Sequence, residues 1–484
     1  MRSNYSVYAT PQFRVLSDGQ IENIHLATLE ILRRTGVLVF DDQALALLQQ
    51  AGAEVDGNRV RIPAGLVERA LASAPPCVTV CDRDGQPAMY LEDRRAYYGT
   101  GSDTPYVIDL HTGQRRKAVK ADVANMARVC DALPHIDFIM CMGLASDVTS
   151  PISDRHHFEA MVTSTGKPIV FTAWNLEGLR DIVEMAEAVA GGAEALRRNP
   201  FAVLYAEPSS PLQHSRDAVA KLLYMAEKGL PIIYTPGLMM GASGPVTLAG
   251  ALAQANAEIL SGLVMSQLRQ EGAPFIYGGA TALMEMRTTI ICYVAPEFLL
   301  NTAALTDMAH HYRLPMFSFA ACSDSQVFDQ QAGLEAGLWT LLAALSGGNL
   351  CHDVGYIGSG LTACFEMLLL GNETVGFLKR FMQGVQVNEE TLALDVIDRV
   401  GPGGHFLGEE HTRRHFRESW YPSLVDRNNY DTWVEKGSLT LGERANRQVR
   451  QILETHQPEP LPEEVQQKLS DIIRRAEERV QAQG

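Results

Sequence analysis

From about residue 120 onward the chain repeats one unit: a short apolar run, an abrupt polar ending, then a helix-length amphipathic segment. The clearest copy is Met316 to Ala321, which opens after Pro315 and breaks into Cys322, Ser323, Asp324, Ser325 and Gln326. Apolar runs of this kind are strands buried on both faces, and their polar ends collect where parallel α/β folds place their chemistry. The runs are Phe138 to Gly143, Ile169 to Ala173, Ala202 to Glu207, Ile232 to Thr235, Phe275 to Gly278, Met316 to Ala321 and Asn349 to Asp353. Helical segments separate them, among them Leu176 to Ala190, Ser215 to Lys228, Leu248 to Gln270, Pro296 to Tyr312 and Gln331 to Leu345. Strands alternating with helices of this length form parallel βαβ units. Seven clear units and a blurred eighth predict an α/β fold, a (β/α)8 TIM barrel, over an open doubly wound sheet. No glycine fingerprint for a dinucleotide is present to favour the open sheet.

The flanks differ. Residues 1–115 read as an N-terminal α+β cap of short helices and strands, 116–400 as the barrel core, and 401–484 as a C-terminal extension with a helical tail. In that tail Gln457 to Pro462 is a stiff proline-rich linker, and Glu463 to Gln481 is a charged helix that predicts a solvated face or a dimer strut. The formal charge of −16 disfavours nucleic acid and anionic membranes as partners. The eight cysteines lie scattered without a Cys-x-x-Cys pair, which argues against a disulfide framework or zinc ribbon. The N-terminus lacks the apolar core of a signal peptide, and no uninterrupted apolar stretch reaches spanning length. A cytoplasmic enzyme is expected.

Several polar groups sit at strand ends: Glu207 in Tyr205-Ala206-Glu207, Tyr234 before Thr235, Tyr277 before Gly278, and His352 in Cys351-His352-Asp353 with Tyr356 behind. If they converge on one mouth, the tyrosines form a cage for a quaternary ammonium and Glu207 its counter-charge. The competing reading makes each tyrosine a core residue with a satisfied hydroxyl. Cys322, Cys351, His352 and Asp353 offer zinc-type ligands, but Cys351 and His352 are strand neighbours and face opposite sides. Glu409, Glu410, His411 and His415 include a histidine pair at i, i+4, which helix-surface polarity explains equally well. The loops Gly99 to Ser102 and Gly241 to Pro245 read as tight turns.

Longer stretches carry a resemblance. Tyr98-Gly-Thr-Gly-Ser-Asp103, Ala206-Glu-Pro-Ser-Ser-Pro-Leu212, Pro236-Gly-Leu-Met-Met-Gly-Ala-Ser-Gly-Pro245, Cys322-Ser-Asp-Ser-Gln-Val-Phe-Asp329 and Gly404-His-Phe-Leu-Gly-Glu-Glu-His411 resemble the trimethylamine methyltransferase family. They resemble in particular its members that lack pyrrolysine and act on glycine betaine and related quaternary amines. The resemblance implies transfer of a methyl group from a quaternary amine to cobalt(I) of a corrinoid (cobalamin) held on a cognate partner protein, by a homo-oligomer. The family's pyrrolysine position falls within Ser323 to Val327, with Gln326 the best match, so Gln326 and Asp324 are the catalytic candidates. Tyr97, Tyr234, Tyr277 and Tyr356 are the cage candidates, Glu207 the counter-charge, and His352 or Gln326 the contact for a substrate carboxylate. No protein-bound metal is expected. The alternatives are a zinc-dependent methyltransferase or lyase on the same barrel, and a betaine-binding protein without catalysis.

Overall fold

The computed structural model describes residues 11–483, so the N-terminal stretch read for a signal peptide lies outside the described residues. A seven-stranded parallel sheet forms the centre. Its strands are β1 (Tyr97–Thr100), β3 (Ile169–Phe171), β4 (Ala202–Ala206), β5 (Ile232–Tyr234), β6 (Phe275–Gly278), β7 (Met316–Phe319) and β8 (Leu350–Val354). β8 pairs with β1, and β3 is the opposite edge. Segment 138–139, here β2, bridges both edges in parallel through Gly99–Phe138 and Ile139–Ile169, and closes the ring at eight strands.

The blurred eighth unit is therefore β1, which the sequence reading assigned to the cap. Its sequence, Tyr-Tyr-Gly-Thr, lacks the aliphatic run that marks the other barrel strands, and the barrel begins before residue 116. The surrounding helices are α1 (Lys120–Ala132), α2 (Ser153–Val162), α3 (Leu176–Ala190), α4 (Arg216–Lys228), α5 (Leu248–Arg269), α6 (Pro296–Tyr312), α7 (Gln330–Ser346) and α8 (Phe365–Phe381). Local chemistry fixes their ends. Asn175, Ser215 and Asp329 cap α3, α4 and α7 through side-chain oxygens that accept backbone amides, and Gly229 at φ 66° ends α4.

The lumen is filled by Val170, Val203, Ile233, Ile276, Phe317 and Leu350. A hairpin, Val78–Cys81 with Pro87–Leu91, plugs its lower end, where Cys81 and Arg83 donate to the carbonyls of Pro200 and Gly166 just ahead of β4 and β3. The other end lies under two small sheets. One is built from Gly237–Met240, Ala280–Glu285 and Ile290–Cys292, the other from Tyr106–Ile108, Arg115–Lys117, Tyr356–Ile357 and Thr362–Ala363.

Helix α5 is long and apolar enough by length and composition to cross a membrane, though Gln254, Asn256 and Glu258 interrupt its apolar run, and it is mostly buried against the N-terminal helices Asp18–Glu30 and Ala64–Ser73. It also carries the buried Glu258, whose carboxylate accepts from the Ser210 hydroxyl (2.6 Å) and the Leu212 amide (2.9 Å). The C-terminal helix Glu463–Gln483 has the solvated face read from its charges and also a buried one: Leu469, Ile472 and Ala476 are buried and the helix packs on α3. Arg475 pairs with Glu184 and Arg479 with Asp181, both on α3.

Candidate active site

Strand parity decides which side chains enter the chamber above the lumen core. On β4, Val203 points inward, so Tyr205 does too, and Glu207 follows at the strand's end. The Tyr205 hydroxyl donates to Glu207, and its ring lies 5.4 Å from Phe317. On β8, His352 stacks on Phe317 at 3.9 Å and lies 4.4 Å from Phe319. Tyr293, carried in by the overlying sheet, stands edge-on to Phe319 at 6.4 Å. Tyr356 reaches across to donate to the Ser102 carbonyl. The chamber is thus aromatic.

It is also acidic. Asp103 follows β1, accepts from Thr172 Oγ1 (3.3 Å), and burial lifts its carboxyl to about 6, with Glu207 and Asp154 adding repulsion. Glu207 is reached by water yet surrounded by protein, so the same desolvation raises it, opposed by the Tyr205 hydroxyl and the field of Lys221. Lys221 itself is turned away, its ammonium donating to the Ala173 carbonyl at 2.7 Å. Asp353 is 2% exposed and pushed far above its ordinary value by burial.

His352 shares a proton arrangement with Asp353. Its Nδ1 lies 2.6 Å from the Ser318 carbonyl, which can only accept, so Nδ1 carries the hydrogen. That leaves Nε2 as an acceptor, 3.3 Å from Asp353 Oδ1. Burial holds the imidazole down at about 3 and pushes the Asp353 carboxyl up, so it disfavours the charged form of both groups. Asp353 adopts φ 76°, a conformation that costs a residue with a Cβ roughly 1 kcal/mol. Its second oxygen has no hydrogen-bond partner among the described residues. A Cβ on Gly101 would lie 2.2 Å from Asp353 Oδ1 and 2.4 Å from the Tyr356 ring, so only glycine lets the chain pass there as it leaves β1.

Of the sequence candidates, Glu207, His352 and Tyr356 meet in this chamber. Tyr97, Tyr234 and Tyr277 do not, which corrects the expected convergence. The Tyr97 hydroxyl accepts from the Tyr90 amide (3.0 Å) of the plugging hairpin, at the closed end. Tyr234 faces the helix layer, where it stacks on His214 (5.9 Å), bonds its Nδ1 (2.9 Å) and lies against Gly262 of α5. Tyr277 faces the same layer and donates to Asn256 Oδ1 at 2.8 Å. Each of the two is one residue out of phase with the inward Ile233 and Ile276.

Asp324 is a clamp. Its oxygens accept from the Tyr293 and Val294 amides, both at 2.9 Å, and from the Ser359 hydroxyl at 2.7 Å, which ties the two overlying sheets together. Gln326 is exposed on the rim, its amide donating to the Asp324 carbonyl (3.3 Å). Tyr205, Tyr293, Asp103 and Phe319 were not singled out from sequence. Tyr205 had a signal, since it shares parity with Glu207 two residues on; Tyr293 arrives from a loop and had none.

The zinc alternative loses its ligand set, because Cys351 turns to the Gly348 carbonyl (3.4 Å) while His352 faces the lumen. Among the described residues two other groups have metal-like spacing. In Asp103–Cys141–His157 each residue already has a protein partner, Asp103 Oδ1 accepting from Thr172 (3.3 Å), the Cys141 thiol donating to Gly143 (2.9 Å) and His157 Nε2 accepting from the Ala145 amide (3.0 Å). In Glu390–His411–His415, Arg414 already sits 2.9 Å from Glu390 as its cation.

A model of the family described as trimethylamine methyltransferase (MTTB) matches residues 2–481. The chain is 33% identical over 464 residues to the trimethylamine methyltransferase MttB of Desulfitobacterium hafniense, covering 96% of this chain and 94% of that one. It is 31% identical over 466 residues to a glycine betaine methyltransferase of Desulfitobacterium hafniense, covering 96% and 97%. The crystal structure of the Methanosarcina barkeri monomethylamine methyltransferase superposes with a TM-score of 0.52 at 12% identity, over 93% of this chain and 90% of that chain, a likeness of fold.

Proposed function

Because this chain belongs to the trimethylamine methyltransferase family, we propose that it takes a methyl group from a quaternary amine, with glycine betaine the first candidate, and passes it to cobalt(I) of a corrinoid on a partner protein. The observation that carries this reading is the chamber of Tyr205, Tyr293, Tyr356 and Phe319 around Glu207 and Asp103. Aromatic rings and a carboxylate attract a trimethylated nitrogen, which can accept no hydrogen bond and donate none.

The corrinoid fits an open rim better than a pocket. Around the mouth Trp174, Val246, Met286, Ile290, Val327 and Leu361 are all at least half exposed, an apolar ring suited to a docking partner. Trp174 is held there by its indole hydrogen bond to Ser153 (3.0 Å) and its amide bond to Asp154 (2.9 Å). The reduced cobalt, when present, supplies the nucleophile that takes the methyl carbon.

The chain's residues do the rest by position and field. A quaternary nitrogen leaves as a neutral tertiary amine, so no general acid is required, and the chamber must orient the cation and strip its water. Positive charge vanishes from nitrogen as the methyl departs, so surplus carboxylates would stabilise the bound substrate more than the transition state. Burial disfavours the charged form of Asp353 beside His352, which limits that surplus. Gln326 on the rim offers an amide to the carboxylate of a betaine.

A pH dependence follows from Asp103. Its carboxyl titrates near 6, and a cation favours the ionised form, so binding below that value must expel a proton. Affinity for glycine betaine should strengthen as pH rises through 6 and fall by up to about tenfold per unit beneath it. Calorimetric titrations from pH 5 to 8 check this; affinity flat or declining with pH counts against the assignment. The function itself is tested by incubating the protein with chemically reduced cobalamin and a panel of quaternary amines, with the demethylated amine read by mass spectrometry. Loss of one methyl from a panel member, dependent on the reduced corrinoid, is expected. Binding without demethylation would leave only a betaine-binding protein.

A further inference from the structure

A betaine carries two charges, and the chamber described so far answers only one of them. Asp103, Glu207 and Asp353 are all carboxyls; they suit the ammonium end and give a substrate carboxylate no cation. Gln326 offers that carboxylate a neutral amide. His352 offers nothing, since its Nδ1 hydrogen is spent on the Ser318 carbonyl and Nε2 is an acceptor. A cation lies at the tip of the adjoining strand. Lys221, half-buried on α4, extends its ammonium to the Ala173 carbonyl at 2.7 Å, just past the end of β3. β3 and β4 are paired neighbours. Their register Phe171–Leu204, carried two residues on, sets Ala173 level with Ala206, one residue before Glu207. The same turn of chain holds the acids of the site: Thr172 donates to Asp103 (3.3 Å) and the Trp174 amide to Asp154 (2.9 Å).

We propose that Lys221 is a specificity-determining residue, which holds the carboxylate of a carboxylated quaternary amine while Glu207 faces its nitrogen. The inference deepens the function proposed above and rests on it. An ammonium has three hydrogens. The Ala173 carbonyl takes one, and among the described residues Lys221 has no other hydrogen bond and no ion pair, so two donors stand ready for a ligand. Burial draws the Lys221 ammonium down, while the fields of Asp217, Asp154, Glu207 and Asp103 oppose this and favour its charged form. The spacing also fits, because neighbouring strands lie about 4.8 Å apart and a single methylene separates the nitrogen of glycine betaine from its carboxylate. A cation without a carboxylate, such as choline, gains no charge partner from Lys221 and is repelled by it. One side chain thus attracts the zwitterion and selects against the bare cation.

The test compares glycine betaine with its primary amide, a neutral isostere, and with choline. Steady-state demethylation with reduced cobalamin is measured for the wild type and for Lys221→Met. The wild type should prefer the carboxylate to the amide. Lys221→Met should raise KM for glycine betaine at least about 10-fold, the worth of a charge-assisted hydrogen bond. The variant should treat betaine and amide nearly alike, and its KM for choline should fall. Lys221→Arg keeps the charge and should restore most of the preference for the carboxylate. Lys221→Gln, which can still donate to Ala173, replaces Lys221→Met if that variant fails to fold. A wild type that prefers the amide or choline to glycine betaine overturns the proposal while the methyltransferase reading stands. So does a variant whose KM for betaine stays put, or rises equally for all three substrates as a merely structural lysine requires. A wild type that demethylates no quaternary amine overturns this inference together with the function it rests on.

Discussion

Glu207→Gln should raise KM for a quaternary amine by about 100-fold, because a loss of 2–3 kcal/mol of cation attraction corresponds to roughly 30- to 150-fold. The substitution keeps the side chain's size and leaves it able to accept from Tyr205, and it removes the charge alone. At an effective dielectric near 20, two unit charges about 5 Å apart attract by roughly 3 kcal/mol. That attraction is greatest in the bound substrate and fades as the nitrogen becomes neutral. The loss should therefore fall on KM, with kcat held or somewhat raised. A neutral isostere carrying a tert-butyl group in place of trimethylammonium should bind both proteins equally weakly. If the variant instead lost kcat at constant KM, Glu207 would act in proton transfer and the electrostatic account would be wrong.

The second large effect is on stability. Tyr277→Leu should cost about 3–5 kcal/mol of folding free energy and leave substrate affinity within twofold. Tyr277 is fully buried, and its hydroxyl donates to Asn256 Oδ1 at 2.8 Å. The Asn256 amide in turn donates to Thr28 Oγ1 and Tyr312, both at 2.9 Å, so one asparagine ties the first helix to α5 and α6. Leucine leaves a cavity and an orphaned buried acceptor, two costs that add. Thermal unfolding and calorimetric binding on the same preparation separate the possibilities. A drop in affinity without loss of stability would put Tyr277 back in the cage.

The contrast between these residues shows where sequence reading stops. Both Glu207 and Tyr277 stand at the ends of apolar strands, and both were read as mouth residues. A buried parallel strand is apolar on its two faces, so its composition does not say which parity faces the lumen. Tyr234 and Tyr277 were taken for the inward phase and belong to the outward one, while Tyr205, in phase with Glu207, was passed over. The interior of an alternating strand would have declared itself; here only register against neighbouring strands does.

The same limit explains β1. Its pairing partners β8 and β2 are far off in sequence, and Tyr97–Thr100 has too little apolar content to signal a barrel strand by itself. The helix Glu463–Gln483 carries charges enough for a solvated surface, and its apolar side was matched to α3 by the fold alone.

The amino-acid sequence alone determined the alternation of strands and helices, hence the barrel class, and the polar strand ends that mark its working rim, because local periodicity and helix capping are properties of neighbours along the chain. Tertiary structure alone decided which rings and carboxyls share one chamber, that Asp324 is a clamp, and that burial disfavours the charged form of Asp353. Burial and through-space partners set those outcomes, and both arise only once distant segments are packed together.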